Sequence, residues 1–365
     1  MTKEKYGYDS VSRLRDVVVR RGEDHGLNFD EIDEAIIIGS GSGAIPEENM
    51  NIEKAGEPSG PIILTYEDVL KEAGIIGWSD QVRAFLYILF GRDSGENDTG
   101  HKKRLIIGPI VGLGDKPLIV QDGREHLYEG TDPKRAIIWL RLMQLLGVQT
   151  IIGSNAAGIL TPNTLKEPSI MLINDFLEVN CGDNNPLKGK NESECGVRFP
   201  SVTAMYNVAF HEKILDLARE ICGSVTDGIY FRAPGPNYET VATVLDMRAR
   251  LENFWRQGQQ QNGLNEWFQG QARGVVGMST VYELLTIFHA MQSKKHPAFQ
   301  NLILFFSVLT NYAASLGPNG FVAQLDGEEV QRKANQMKVE LLNIIKKILV
   351  ESRNGNISRM VPVQN

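Results

Sequence analysis

The chain has 365 residues, of which 42% are hydrophobic and 23% charged, and its formal net charge is −7. This composition excludes a disordered chain, which carries too few apolar residues to build a core. The negative charge argues against a nucleic-acid-binding surface, because phosphate backbones attract concentrated Lys and Arg. A small anionic ligand needs only one local cationic pocket, so it stays compatible with these values.

The cysteines and the lengths of the apolar runs indicate in which compartment the protein works and whether it forms disulfides or metal sites. Cys181, Cys195 and Cys222 match neither a zinc-ligand spacing nor a disulfide framework. The first 26 residues are charged throughout and lack the apolar core of a secretion signal. No stretch approaches the roughly 20 apolar residues that span a bilayer. We therefore expect a reduced, soluble, cytoplasmic protein that binds neither membranes nor metals.

Hydrophobic periodicity predicts alternating helices and strands along the chain. The first part of the chain is predicted to contain a helix over 10–26, a buried strand in "EAIII", a loop over 44–61, helical patterns over 65–77 and 78–91, and a loop over 92–103. The middle is predicted to contain two strands around a Gly-rich turn within 104–124, a helix over 132–147, strands over 148–158 and 168–175, a polar loop over 180–197 and a helix over 207–222. The last part is predicted to contain strands over 225–235 and 273–279, a helix over 280–295, a strand over 301–311 and a long closing helix over 328–352.

This alternation predicts an α/β protein whose sheet is largely buried between helices. The sequence has neither an internal repeat nor a Pro-rich linker, so we expect one domain over residues 1–365. Loop insertions are expected near 44–61, 91–101, 180–197 and 247–273, and the last of these is interpreted as a surface excursion rich in Gln, Asn and Trp.

Polar residues gather where predicted strands end, and "QDGREHLYEG" at 121–130 is the clearest case. Arg124, His126 and Tyr128 occupy alternate positions after the apolar run "PLIV", so an extended strand would turn all three to one side. A strand packed on a core does this only where that side looks into a polar cavity. A solvated strand end would give the same pattern.

Four further strand ends carry unusual residues: "GSGSG" after "AIII", Asn155 in "SNAAGIL", Tyr238 and Glu239 in "APGPNYET", and Asn311 in "SVLTN". Each alone is compatible with a turn or a helix cap. Because α/β folds place their sites at the carboxyl ends of strands, the set together indicates a ligand site. The set offers a cation and hydroxyls for an oxyanion, together with an aromatic ring, a carboxylate and an amide. Such a combination suits a ligand with a phosphate and a flat, hydrogen-bonding heterocycle.

Eight short motifs in the same order resemble the trimeric, low-molecular-mass class of purine nucleoside phosphorylases. They are "GSGSG", "GHKKRLIIG", "GREHLYEG", "NAAG", "RFP", "GPNYET", "VGMST" and "LTN". The resemblance implies one domain with a central mixed sheet, or distorted barrel, surrounded by helices.

The same resemblance implies the roles of individual residues. The phosphate site would comprise Ser40, His101, Arg124, His126, the Ala156 backbone N–H and Ser279. The nucleoside site would comprise Tyr128 and Met278 at the ribose, Tyr238, Glu239 and Asn311 at the base, and Phe199 reaching a neighbouring subunit. Glu239, Asn311 and His126 would carry the catalysis. The protein would act as a homotrimer without a metal or organic cofactor, with inorganic phosphate as co-substrate.

The implied reaction is the reversible phosphorolysis of 6-oxopurine (deoxy)ribonucleosides, such as inosine and guanosine, to the base and (deoxy)ribose 1-phosphate. Gly327 in "LDGEEV" stands where the family usually has a His that touches the ribose 5′-hydroxyl. Alternatives are therefore a phosphorylase of the same fold for xanthosine or a 5′-modified nucleoside, or a catalytically silent purine-binding protein. An oxidoreductase built on "GSGSGA", which fits a dinucleotide-binding fingerprint, would leave every later motif without a role.

Overall fold

The computed structural model describes residues 5–39, 49–55, 60–76, 102–178, 184–203, 208–261, 271–322 and 327–357. The helix predicted over 78–91 and the predicted phosphate ligands Ser40 and His101 lie outside these residues.

Strands and helices alternate along the described residues, as the hydrophobic pattern predicts. The strands are β1 (Glu34–Ile38), β2 (Ile62–Thr65), β3 (Arg104–Gly108), β4 (Leu118–Asp122), β5 (Thr150–Ile159), β6 (Ser169–Glu178), β7 (Thr226–Arg232), β8 (Gly274–Gly277), β9 (Leu302–Tyr312), β10 (Leu316–Gly317) and β11 (Gly320–Phe321). The helices are α1 (Tyr8–Glu23), α2 (Tyr66–Glu72), α3 (Pro133–Ala136), α4 (Ile138–Leu145), α5 (Val208–Ile221), α6 (Val241–Gln259), α7 (Val281–Met291), α8 (Gly327–Gln336) and α9 (Lys338–Arg353).

Two compact units contain these elements. The first unit comprises Met1–Ile151, Asn184–Ser201 and Glu283–Gln300, and the second comprises Ile152–Asp183, Val202–Tyr282 and Asn301–Asn365. The expectation of one domain over residues 1–365 stays a prediction.

In the first unit, four strands pair in the order β2-β3-β4-β1. β3 is antiparallel to both β2 and β4, and β4 is parallel to β1. Every residue of β1 and β4 is buried, which explains why both read as continuous runs and not as alternating patterns. Arg104 lies opposite Asp122 in the β3–β4 register, and its Nε donates to the Asp122 carboxylate at 2.8 Å. The end of β4 is therefore held in a defined position.

In the second unit, β5-β8-β7-β6-β9 form a mixed sheet in which β5 also pairs with β9. β7 is parallel to β6 and β8, whereas β6–β9 and β5–β8 are antiparallel. The β5–β9 pairing closes these strands into a ring. The predicted α/β class with a mixed sheet and distorted barrel is thus confirmed.

Helix α6 was not expected, because residues 247–273 were interpreted as a surface excursion. The structure places residues up to Gln259 in this helix, whose Val244, Met247 and Leu251 are buried. The three side chains recur at helical spacing and pack into an apolar cluster with Phe231 and Val276. Most other positions of the helix are polar, so the narrow apolar stripe is hard to see in the sequence.

Three smaller differences from the predicted elements concern short strands and one helix break. No strand is predicted for residues 62–65, where β2 lies, and none for the β10–β11 hairpin. The long closing helix is divided into α8 and α9 at Met337, where φ is −95° and ψ is 4°. Among the described helices, none is long and apolar enough to cross a membrane.

Candidate functional site

Arg124 lies just beyond the carboxyl end of β4, in a turn whose backbone is held by buried side chains. Gly123 adopts φ 101°, a conformation that glycine reaches without steric cost. The hydroxyl of Tyr66 donates to the Gly123 carbonyl at 2.8 Å, and the Tyr66 ring stacks on Trp139 with centroids 3.9 Å apart. This support fixes where the Arg124 side chain starts.

The guanidinium of Arg124 forms a two-bond ion pair with Glu283 near the start of α7. Nε donates to Oε1 at 2.6 Å and Nη2 donates to Oε2 at 3.0 Å. Both side chains are buried, with exposed fractions of 4% and 10%. A fork-shaped pair of this kind sets the plane of the guanidinium, and it partly neutralises its charge. Glu283 was not among the predicted site residues.

His126 and Tyr128 lie together, although not in the predicted extended arrangement. β4 ends at Asp122, and Leu127–Glu129 form a 3₁₀ helix with His126 at its amino-terminal cap. The prediction that Arg124, His126 and Tyr128 alternate along one strand is therefore wrong. The turn forms in place of an extended strand because the Glu129 carboxylate accepts a hydrogen bond from the His126 backbone N–H at 3.1 Å. The His126 and Tyr128 rings nevertheless stack with centroids 4.8 Å apart.

The carboxylate of Glu129 orients the His126 ring. His126 Nδ1 lies 3.2 Å from Glu129 Oε1, and Lys103 Nζ donates to Oε2 at 2.6 Å. Burial would raise the pKa of Glu129, but the hydrogen bonds from His126 and Lys103 and the Lys103 charge outweigh it and lower the pKa to about 2. The carboxylate is thus ionised at neutral pH and accepts a hydrogen bond from the Nδ1–H, which leaves Nε2 as the other polar atom of the ring.

Phe199 is far more exposed than the other predicted residues of the first unit that the structure describes. Its side chain is 86% exposed, and the Arg198 guanidinium lies 5.6 Å from its ring centroid. The structure does not bring it to Arg124, His126 or Tyr128. Its predicted reach into a neighbouring subunit stays a prediction.

In the second unit, Ser279 lies in a strained turn that Asn155 supports. Ser279 is half-buried and follows the half-buried Met278, and its backbone N–H donates to the Tyr230 hydroxyl at 3.3 Å. The next residue, Thr280, has φ 72°, which is unusual for a β-branched side chain. Asn155 Nδ2 donates to Thr280 Oγ1 at 2.9 Å, and Thr280 Oγ1 lies 3.3 Å from Ser279 Oγ. Backbone strain of this kind persists only where neighbours hold it, and it is concentrated at functional sites.

Ala156 lies within β5, directly after Asn155. The sequence pattern suggested that the strand ends at Asn155, but β5 continues to Ile159. Asn155 Oδ1 is buried and has no hydrogen-bond partner in the part of the chain that the structure describes. Asn155 is therefore a support of the Thr280 turn, a role that no short motif could reveal.

Glu239 lies in the loop between β7 and α6 and is not used to cap the helix. The cap of α6 is Thr240, whose hydroxyl accepts from the Thr243 backbone N–H at 3.2 Å. Glu239 is therefore not the amino-terminal cap of α6. Burial raises the pKa of Glu239, against a smaller opposing effect of a backbone hydrogen bond. Its neighbour Tyr238 presents a ring that is 42% exposed.

Asn311 lies near the end of β9 and contacts β5. A Cβ added to Gly158 would lie 3.0 Å from Asn311 Nδ2, so glycine at position 158 allows the amide to approach the strand closely. Asn311 Oδ1 accepts from the Thr310 hydroxyl at 2.9 Å. This bond fixes which end of the amide carries the oxygen and which carries the donor.

Among the described residues, no group of three or more His, Cys, Asp or Glu side chains is placed to hold a metal ion.

The known proteins that this chain resembles belong to one family. A family model described as the phosphorylase superfamily matches residues 73–349. Purine nucleoside phosphorylase 1 of Geobacillus stearothermophilus is 32% identical over 252 residues, covering 68% of this chain and 77% of the relative. Purine nucleoside phosphorylase 1 of Bacillus subtilis is 27% identical over 317 residues, covering 87% of this chain and 91% of the relative.

A solved structure shows the same fold. Schistosoma mansoni purine nucleoside phosphorylase in complex with inosine superposes with a TM-score of 0.65 at 23% identity, covering 95% of this chain and 98% of that one. The matched span of the family model and the identity to the Geobacillus protein settle the relationship. The chain belongs to the phosphorylase superfamily and, within it, to the purine nucleoside phosphorylases.

Proposed function

We propose that the protein catalyses the reversible phosphorolysis of 6-oxopurine (deoxy)ribonucleosides, with inosine and guanosine as substrates. The products would be the free base and (deoxy)ribose 1-phosphate, which makes the enzyme a pentosyltransferase. Support comes from the family and from the inosine bound by the Schistosoma mansoni protein. The observation that carries the proposal is Glu239, a half-buried carboxyl in the loop after β7 that does not cap the helix that follows.

The first unit would supply groups for phosphate. The Arg124 guanidinium, oriented by Glu283, is suited to bind phosphate oxygens through charge-assisted hydrogen bonds. His126 would offer Nε2, because its Nδ1 faces Glu129. The Tyr128 ring, stacked on His126, would lie against the sugar. Ser40 and His101 are proposed as further phosphate ligands on the family resemblance.

The second unit would supply groups for phosphate and for the base. Ser279 Oγ and the Ala156 N–H would donate to phosphate oxygens, with Met278 at the ribose. Glu239 would accept from the purine N1–H, and Tyr238 would pack on the ring. Asn311 would donate to the N7/O6 side, where negative charge develops as the glycosidic bond breaks. Such contacts accelerate the reaction to the extent that they strengthen in the transition state.

The reaction would need no cofactor, since the attacking nucleophile is phosphate itself. The C1′–N9 bond breaks, its electron pair moves into the purine, and a phosphate oxygen bonds to the oxocarbenium-like C1′. We further propose that the enzyme works in the cytoplasm as a homotrimer, with Phe199 completing a neighbouring subunit's site. Its exposed ring supports that assignment.

The first experiment is chromatographic detection of free base from inosine, guanosine, adenosine and xanthosine, each with and without phosphate. Release of hypoxanthine and guanine only in the presence of phosphate is the expected result. Release without phosphate would point to hydrolysis, and binding without release would point to a silent purine-binding protein.

Glu239→Ala tests the assignment of the base site. We expect loss of most activity on inosine, because the N1–H would lose its acceptor, with phosphate affinity nearly unchanged. Initial rates at saturating phosphate and equilibrium phosphate binding are the two measurements. An equal loss of phosphate binding would contradict this division of roles.

A second substrate class is favoured by Gly327, the first residue of α8. A Cβ at this position would meet no atom within 4 Å, and the residue is exposed. Without an imidazole for the 5′-hydroxyl, we expect a nucleoside with an apolar 5′ substituent to be accepted. Rates on inosine and on 5′-methylthioinosine would measure this; a strong preference for the 5′-hydroxyl would exclude it.

A further inference from the structure

A polar cavity lies in the first unit, and none of the predicted site residues lines it. Its empty volume is about 340 Å³, part of which is open solvent. The polar residues around it are Lys134, Arg141, Lys190, Asn191, Glu192 and His289. Helices α3, α4 and α7 and the segment 184–201 therefore converge on one cationic hollow.

The innermost charge of this cavity is the guanidinium of Arg141 on α4. The residue is 5% exposed, and its partners are neutral: Nη1 donates to Gln144 Oε1 at 3.0 Å and Nη2 donates to His289 Nδ1 at 2.8 Å. The carboxylate of Glu192 lines the same cavity and acts on Arg141 through its charge. Burial lowers the pKa of Arg141, and the charges of Cys195 and Glu192 oppose this effect only in part. A buried charge that is only partly compensated is costly, so an anion at this position would be stabilising.

His289 adds no positive charge of its own beside Arg141. Burial and the Arg141 charge lower its pKa to about 4, so the ring is neutral at physiological pH. Since Nδ1 accepts from Arg141, the proton lies on Nε2, which is 3.3 Å from Asn191 Oδ1. Arg141, His289 and Asn191 thus form a chain of hydrogen bonds that holds the guanidinium in place without adding a negative charge beside it.

The mouth of the cavity adds two cations and one carboxylate. Lys134 is half-buried at the start of α3, and Lys190 is exposed on the segment 184–201. Glu192 opposes an anion, but its Oε2 accepts from the Cys195 thiol at 3.7 Å, which turns that oxygen toward Cys195. The cations at the mouth and at the base favour a compact dianion over a monocarboxylate, because two ammonium groups and one guanidinium can share its oxygens.

We propose that this cavity binds a phosphate group, held by Arg141 at its base and by Lys134 and Lys190 at its mouth. The phosphate can come from inorganic phosphate or from a sugar phosphate, which share the same tetrahedral oxygens. Such a site is separate from the phosphate ligands of the proposed reaction. Bound phosphate would tie the segment 184–201, which ends near Phe199, to helices α3 and α4.

Phosphate binding in a chain without Arg124 tests the proposal. The double variant Arg124→Gln/Glu283→Gln removes the proposed reaction ligand and keeps a neutral hydrogen-bonded pair in its place. Titration calorimetry with inorganic phosphate, at ionic strength held constant with chloride, should find about one phosphate per chain. Adding Lys134→Ala and Lys190→Ala should weaken that binding about tenfold or more, since each lysine donates a charge-assisted hydrogen bond.

Two controls distinguish the cavity from general charge effects and from misfolding. Lys295→Ala removes an exposed lysine outside the cavity and should leave phosphate affinity unchanged. Arg141→Met should abolish binding, and the lysine variants keep the test valid if this one fails to fold. Repeating the titration with ribose 5-phosphate identifies the source, since the tighter ligand is the one used.

Absence of phosphate binding in the folded double variant would overturn the proposal, as would equal binding with and without the two lysines. Arg141 would then act only as a support for the segment 184–201. Neither outcome bears on base release from nucleosides, which tests the proposed reaction independently.

Discussion

Glu283 offers the sharpest test of how the first unit holds its buried cation. Replacing it by Gln leaves the size of the side chain nearly unchanged and removes the charge opposite Arg124. In the native protein, two hydrogen bonds of 2.6 and 3.0 Å join these side chains in surroundings almost closed to water. The substitution therefore isolates the electrostatic part of the pair.

The expected cost follows from the burial of both partners. Removing one member of a buried pair leaves an uncompensated charge, which costs about 3–5 kcal/mol of unfolding free energy. Arg124→Gln should cost a similar amount, because the Glu283 carboxylate is then the unpaired group. The double variant should cost much less than the sum of the two, since no buried charge remains and the two amides can hydrogen-bond.

Urea denaturation followed by tryptophan fluorescence, to which the buried Trp139 contributes, measures the unfolding free energy of these three variants against that of the wild type. The exposed pair Arg256–Glu252 is the matched control, and Glu252→Gln should change stability by less than about 0.5 kcal/mol. A coupling energy near zero in the double-mutant cycle would refute the reasoning. It would mean that water or another group compensates Arg124 when Glu283 is lost.

Three further predictions concern the supports of the proposed site. Asn155→Ala removes the hydrogen bond that holds the Ser279 turn, so the KM for phosphate should rise about fivefold, corresponding to roughly 1 kcal/mol, while the KM for inosine changes little; parallel changes of both constants would contradict this. Gly158→Ala places a Cβ 3.0 Å from Asn311 Nδ2, and kcat/KM for inosine should fall about tenfold as the amide is displaced, whereas unaltered kinetics would show that the amide position is unimportant. The pKa of Glu129 is about 2 in the folded protein against 4.5 normally, so its stabilisation is present above pH 4.5 and lost as the pH falls toward 2. Glu129→Gln should therefore flatten the fall of unfolding free energy between pH 5 and 2, and a slope equal to that of the wild type would exclude the assignment.

Local sequence patterns were sufficient to predict several strands and helices of this protein and its family. The apolar runs of β1 and β4 and the helical stripe of α1 report burial that is decided within a few residues, so they were predicted correctly. The family was also readable, because short motifs at strand ends keep their order even when the loops between them change in length. The α/β class and the family follow from these two signals.

The supports of the site could be seen only in the folded chain. Glu283 is 159 residues from Arg124, and Asn155 is 125 residues from Thr280, so no local spacing relates them. The 3₁₀ turn at Leu127–Glu129 overrode an alternating pattern because one carboxylate binds the backbone and the His126 ring together. Helix α6 was hidden because its buried stripe is mixed with polar residues and with exposed apolar ones such as Leu245 and Phe254, and the stripe is defined only by the core it packs on. Periodicity records which residues are buried, whereas the partner that each buried polar group finds is decided by the tertiary packing.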